Sequence, residues 1–181
     1  GFGQQMAPIM ARSEHRDGQW SDVELTAYAP LSLDPACKSL HYGQQVFEGM
    51  KAFNQPGGPR LFRPLEHCKR FNGSAARLCM PELSPEILLE GVKALVRTDA
   101  SWLPEQAGTA LYLRPTMVAT EGFLGVRPAN RYLAYVIASP VGNYWKDGFK
   151  PLRIYVEEHY ARSVKGGMGG AKAGGNYAVS L

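Results

Sequence analysis

One lysine stands among glycines near the end of the chain, in Gly166-Gly167-Met168-Gly169-Gly170-Ala171-Lys172-Ala173-Gly174-Gly175-Asn176-Tyr177. Glycine lets a ligand approach the main chain closely, so the segment is suited to holding a small molecule against one amine. A lysine amine traps carbonyls as a Schiff base, and pyridoxal phosphate is the most common partner for such a lysine. A phosphate-binding loop of the Walker type would need glycine directly before the lysine and Ser or Thr directly after it, whereas Ala171 and Ala173 flank Lys172. The dinucleotide fingerprint fails too, because Gly167-Met168-Gly169 would require a third glycine where Lys172 stands. Spacing alone leaves open a flexible glycine-rich turn with a solvated lysine.

The elements that must position this loop are readable from pattern. Val23 to Leu33 suggests a strand and a turn, and Gln55-Pro56-Gly57-Gly58 turns the region between His41 and Arg63 back on itself as a hairpin. After Pro64, apolar residues at Leu65, Cys68, Phe71, Ala75 and Leu78 mark one helix, with Arg70 off the stripe. Ser84 and Pro85 open a second, with Leu88, Val92, Leu95 and Val96 on its buried face and its end near Thr98. Thr109 to Ala119 alternates as a strand, so Tyr112, Arg114 and Thr116 share one face and Leu111, Leu113 and Met117 the other. Pro115 within it predicts an edge position or a local break. Arg131 to Ser139 and Pro151 to Glu157 read as further strands, and Ser139 to Gly148 as a linker.

Composition narrows the classes of function. The chain has 181 residues and a formal charge of +4, with no basic block, so nucleic acid is not an expected partner. Three widely spaced cysteines, Cys37, Cys68 and Cys79, predict free thiols and a reducing compartment. The four histidines form no pair at metal-ligand spacing, so no metal site is expected. No apolar stretch is long enough to span a bilayer and the N-terminus lacks a signal-peptide profile, which together predict a cytoplasmic protein without a membrane partner.

Four segments occur in order: Leu40-His41-Tyr42-Gly43-Gln44-Gln45-Val46-Phe47-Glu48-Gly49-Met50-Lys51-Ala52-Phe53, Arg60-Leu61-Phe62-Arg63-Pro64, Leu111-Tyr112-Leu113-Arg114-Pro115-Thr116 and Lys172-Ala173-Gly174-Gly175-Asn176-Tyr177. Together they resemble the branched-chain amino-acid aminotransferases, fold type IV pyridoxal-phosphate enzymes, over essentially the whole chain. The resemblance implies an α+β fold, with a small N-terminal α/β domain at 1–138, an interdomain linker at 139–148 and the start of the large cofactor-binding domain at 149–181. It implies transamination between leucine, isoleucine or valine and 2-oxoglutarate with pyridoxal 5'-phosphate as cofactor, in a homodimer acting on small amino and 2-oxo acids.

By the same resemblance, Lys172 carries the cofactor and moves the substrate's α-proton, Arg70 binds the cofactor phosphate, Tyr177 bonds the phenolic oxygen and Arg162 lies beside it. On helical geometry alone Arg70 would instead pair with Glu66. Tyr42, Phe47, Tyr112 and Arg114 resemble substrate-pocket residues, Phe2 adds to the same pocket, and Tyr144 on the linker resembles a residue that closes over a pocket in the same or a neighbouring subunit. The family carries further sequence after the lysine segment, including an acidic partner for the ring nitrogen and a helix N-terminus for the phosphate. The expectation is therefore a partial chain, inactive by itself. Another fold type IV enzyme, a D-amino-acid aminotransferase or an aminodeoxychorismate lyase, is the nearer alternative, and a non-catalytic dimerising module the more distant one.

Overall fold

The computed structural model describes residues 2–143, 148 and 150–180. Its frame is an antiparallel sheet of eight strands among those residues: β1 (Ile9–Arg16), β2 (Gln19–Trp20), β3 (Glu24–Ala27), β4 (Gln45–Phe47), β5 (Met50–Phe53), β6 (Arg60–Leu61), β7 (Ala110–Ala119) and β8 (Tyr132–Val141). The main path runs β2-β1-β8-β7-β5-β6, with β3 also on β1 and β4 also on β7. Helices α1 (Lys38–His41), α2 (Pro64–Arg77), α3 (Pro85–Thr98) and α4 (Gly174–Ala178) complete the set, with a 3-10 turn at Ala100–Trp102.

The two long helices lie where the apolar periodicity puts them. Helix α2 buries Cys68, Phe71 and Ala75, and α3 buries Leu88, Val92, Leu95 and Val96, against a core that includes Met50, Leu111, Leu113 and Met117. Proline stands at the first turn of each helix, where its missing N–H costs nothing. Two details differ from expectation. Leu65, in the first turn of α2, is exposed. Ser84 precedes α3 but its hydroxyl donates to Glu86 Oε2 at 2.6 Å and makes no capping bond to the helix backbone.

Pro115 is neither at an edge nor at a break in β7. That strand pairs along its length with β8, and on its other side with β5 over Leu111–Leu113 and with β4 over Thr116–Val118. The proline falls where β4 gives way to β5, so its lack of a donor forfeits no ladder bond, and its carbonyl accepts the Glu48 N–H at 2.8 Å. The hairpin in the 41–63 region is β5 with β6; β4 is not part of it and precedes β5 along the same side of β7. Strand β1, between β3 and β8, was not anticipated. Residues 151–157 form no strand and are exposed, since no described strand lies alongside to supply a ladder. Strand β8 ends at Val141, inside the 139–148 segment.

Candidate functional site

The Lys172 loop joins the sheet through β4. The Phe47 N–H donates to the Lys172 carbonyl at 2.9 Å, and Val46 and Ala173 form an antiparallel bridge. The approach is close at Gly174, where a Cβ would stand 2.5 Å from Gln45 Nε2 and the glutamine side chain would have to shift. Behind the loop, the buried amide of Asn176 donates to the carbonyls of Met168 and Ala171, each at 2.7 Å. From α2, the Ser74 hydroxyl accepts the Lys172 N–H at 2.9 Å and itself donates to the Arg70 carbonyl at 3.0 Å. The backbone of Lys172 is thus held by a strand on one side and a helix on the other.

Its amine donates to the Tyr177 hydroxyl at 2.8 Å and lies 4.6 Å from the centre of the Phe47 ring and 4.8 Å from that of Tyr177. Those two rings meet edge to face at 4.8 Å. The Arg162 guanidinium stands 5.8 Å from the Tyr177 ring. Arg114 extends the cluster, with its guanidinium 4.7 Å from the Phe47 ring and its Nη2 donating to the Tyr112 hydroxyl at 3.0 Å. Phe2 packs edge to face on Tyr112 at 5.0 Å. Among the described residues no carboxylate is paired with Lys172, Arg114 or Arg162.

Arg70 is paired, though not with Glu66, which binds Lys69 at 2.9 Å. Glu48 takes it instead. This carboxyl is fully buried and accepts Arg70 Nε at 2.5 Å, Arg70 Nη2 at 2.8 Å and the Gly49 N–H at 2.7 Å, with His67 Nδ1 at 3.0 Å. Burial pushes the Glu48 carboxyl up, but the bonds from Arg70, Gly49 and His67 outweigh it and hold the group below its ordinary value.

The structure therefore gathers Lys172, Tyr177, Arg162, Phe47, Arg114, Tyr112 and Phe2 into one chain of contacts. Arg70 is linked to it through Ser74 and through Glu48, the residue after Phe47. Tyr42 is elsewhere in its contacts: half-exposed, with its hydroxyl donating to the Leu124 carbonyl at 2.5 Å. Tyr144 lies outside the described residues. Sequence reasoning missed Glu48, Ser74 and Asn176. Ser74 had a signal in standing four residues after Arg70, on the same helix face; Glu48 had only its place between two strands.

No family model matches the chain. Over all of its length it is 51% identical to a probable branched-chain-amino-acid aminotransferase of Streptomyces coelicolor, of which it covers 51%. Over 91% of its length it is 49% identical to branched-chain-amino-acid aminotransferase 2 of Bacillus subtilis, of which it covers 46%. Over all or nearly all of its length the chain is therefore similar to branched-chain aminotransferases. It spans about half the length of the curated relatives it matches. Solved members of the family share the fold: the T.th. enzyme complexed with N-(5'-phosphopyridoxyl)-L-glutamate superposes with a TM-score of 0.72 at 28% identity, over 98% of this chain and 53% of that one. The Thermoproteus uzoniensis enzyme with norvaline gives 0.72 at 26% identity, over 95% and 54%. The mixed helix and antiparallel sheet is the fold type IV arrangement.

The family implies pyridoxal phosphate, and the donor set can be tested against that group. An aromatic, phosphate-bearing aldehyde needs an amine, flat apolar surroundings and cationic donors. Lys172, the rings of Phe47 and Tyr177, and the guanidinium groups of Arg70 and Arg162 supply these, and the residues fit.

Proposed function

We propose that this site serves pyridoxal-phosphate-dependent transamination between branched-chain L-amino acids (leucine, isoleucine, valine) and 2-oxoglutarate. The observation that carries the reading is the Lys172 amine, held 2.8 Å from the Tyr177 hydroxyl between two aromatic rings and with no acidic partner among the described residues. Bound there, the cofactor supplies a carbonyl for the lysine and a conjugated ring that draws electrons from the substrate's α-carbon.

The protein's part follows from its own groups. Lys172 would hold the cofactor through Nζ, and its free amine is placed to accept the substrate's α-proton and return it. Tyr177 positions that nitrogen through its hydroxyl and would bond the cofactor's phenolic oxygen, with Arg162 adding positive charge beside the ring. Arg70 binds the phosphate. Arg114 and the Tyr112 hydroxyl bind carboxylate, while Phe47 and Phe2 give apolar contact for a branched side chain; Tyr42 and Tyr144 are assigned to the substrate pocket by the family resemblance alone. One cavity can then accept an aliphatic chain in one half-reaction and a carboxylate in the other.

The reading extends to a homodimer in the cytoplasm, and to the domain organisation 1–138, 139–148 and 149–181. It also holds that residues 1–181 are inactive by themselves.

Amino transfer from L-leucine, L-isoleucine and L-valine to 2-oxoglutarate by the full-length protein, with and without Lys172→Ala, tests the proposal. Loss of about 10²–10⁴-fold in kcat on substitution is expected, in the range a positioned proton-transfer group contributes. Undiminished activity in Lys172→Ala, or a preference for D-amino acids, would overturn it.

A further inference from the structure

We propose that Glu48 is a positioning residue for the cofactor phosphate, acting through Arg70. The inference rests on the reading of Arg70 as a phosphate ligand, and it assigns a purpose to the least expected group in the molecule. A glutamate with no exposed surface is costly unless every oxygen is bonded, and both of Glu48's oxygens are.

The geometry gives the carboxyl a fixed base and a mobile client. Its own N–H is tied to the Pro115 carbonyl in the middle of the sheet, and Oε2 accepts the next residue's N–H, so the carboxylate is fastened to rigid backbone. On α2, His67 and Arg70 stand three residues apart and so share a face, and both reach it. Arg70's side chain is more than half exposed, and without this grip its flexible stem would sample many rotamers.

The bonds fall on Nε and on Nη2, one edge of the guanidinium group. The Nη1 edge makes no hydrogen bond to any described residue. An arginine clamped by one carboxylate and open on its other edge is oriented in advance for a second planar or tetrahedral oxyanion. Because Glu48 follows Phe47 directly, one short segment fixes both the ring beneath Lys172 and the arginine. The placement of amine and phosphate donor is therefore set by neighbouring residues of a single strand end.

The test compares equilibrium binding of pyridoxal phosphate with that of pyridoxal, which lacks the phosphate, by the full-length protein and its Glu48→Gln, Arg70→Ala and doubly substituted forms. Glu48→Gln should weaken pyridoxal phosphate binding about tenfold or more and leave pyridoxal binding unchanged, and in the Arg70→Ala background it should have no further effect. Equal weakening for both ligands, additive effects in the double variant, or no change in pyridoxal phosphate affinity would overturn the role of Glu48. If Arg70→Ala itself leaves the preference for the phosphorylated ligand intact, the reading of Arg70 fails first, and the inference with it.

Should Glu48→Gln not fold, the Arg70 Nε–H resonance of the unaltered protein decides. Slow solvent exchange, with a chemical-shift change of the guanidinium signals on adding pyridoxal phosphate but not pyridoxal, supports the proposal. Exchange as fast as a free arginine's, or no phosphate-dependent change, contradicts it.

Discussion

Phe47 holds Lys172 twice: its N–H donates to the lysine carbonyl at 2.9 Å, and its ring lies 4.6 Å from the lysine amine. A strand residue thereby fixes the backbone and bounds the side chain of the residue on which the proposed chemistry depends. The placement of that amine rests on β4 as much as on the glycine-rich loop that carries it.

The helix side of this grip is Ser74. Removing its hydroxyl in Ser74→Ala would leave the Lys172 N–H without its acceptor in a largely buried setting, at a cost of about 1–3 kcal/mol. Chemical denaturation should show a lower midpoint with an unchanged slope, and cofactor affinity should fall with it.

Gly49 makes room for Tyr112. A Cβ at position 49 would stand 2.2 Å from the Tyr112 hydroxyl, the group that accepts from Arg114. Gly49→Ala must therefore move the tyrosine and, with it, the arginine. A displacement of this size is expected to cost about 10²-fold in kcat/KM for transamination by the full-length protein, while thermal stability changes little.

Glu48 makes stability depend on acid. Its folded-state value is depressed, so the stabilisation is complete above the unfolded value, about 4.3, and is lost as pH falls through the lower folded value. The gap in unfolding free energy between the unaltered protein and Glu48→Gln should thus be about 1–3 kcal/mol near pH 7 and shrink on acidification below about pH 4. A gap independent of pH between about 7 and about 3 would contradict this assignment.

The thiols should divide by burial. Cys37 and Cys68 are fully buried, and burial, helped by the negative charges of Glu48 and Glu86, pushes the Cys68 thiol up to about 11; Cys79 is exposed. A disulfide-exchange reagent should titrate one thiol in the native protein and three in denaturant, and modification of Cys68 in the native state would contradict the packing of α2.

How far the sequence displayed these features varied with the physics behind each. Helices α2 and α3 and strands β7 and β8 carry strong apolar periodicity and were legible. Strand β1 was not, because its buried positions include Ala11 and Ser13, whose small side chains carry little hydrophobic signal and alternate with Arg12 and Glu14. Pro115 misled for a topological reason: a residue without a donor is tolerated inside a sheet where the neighbouring strand changes, and no local pattern announces that change. Residues 151–157 show the converse, a β-favouring run that stays irregular where no strand of the described residues lies beside it. At the site, alternation put Tyr112 and Arg114 on one face and the structure brings them together, as it does Lys172, Tyr177 and Arg162. Glu48 was silent because a lone glutamate in an apolar run signals nothing until the break between β4 and β5 turns it toward α2.

Everything proposed for the site depends on Lys172 being the residue that carries pyridoxal phosphate. Borohydride reduction of the protein in the presence of pyridoxal phosphate, followed by intact-mass measurement and peptide mapping, addresses this directly. One cofactor adduct is expected, mapping to Lys172 and lost in Lys172→Ala. No adduct, or one spread over surface lysines and persisting in Lys172→Ala, would contradict that role.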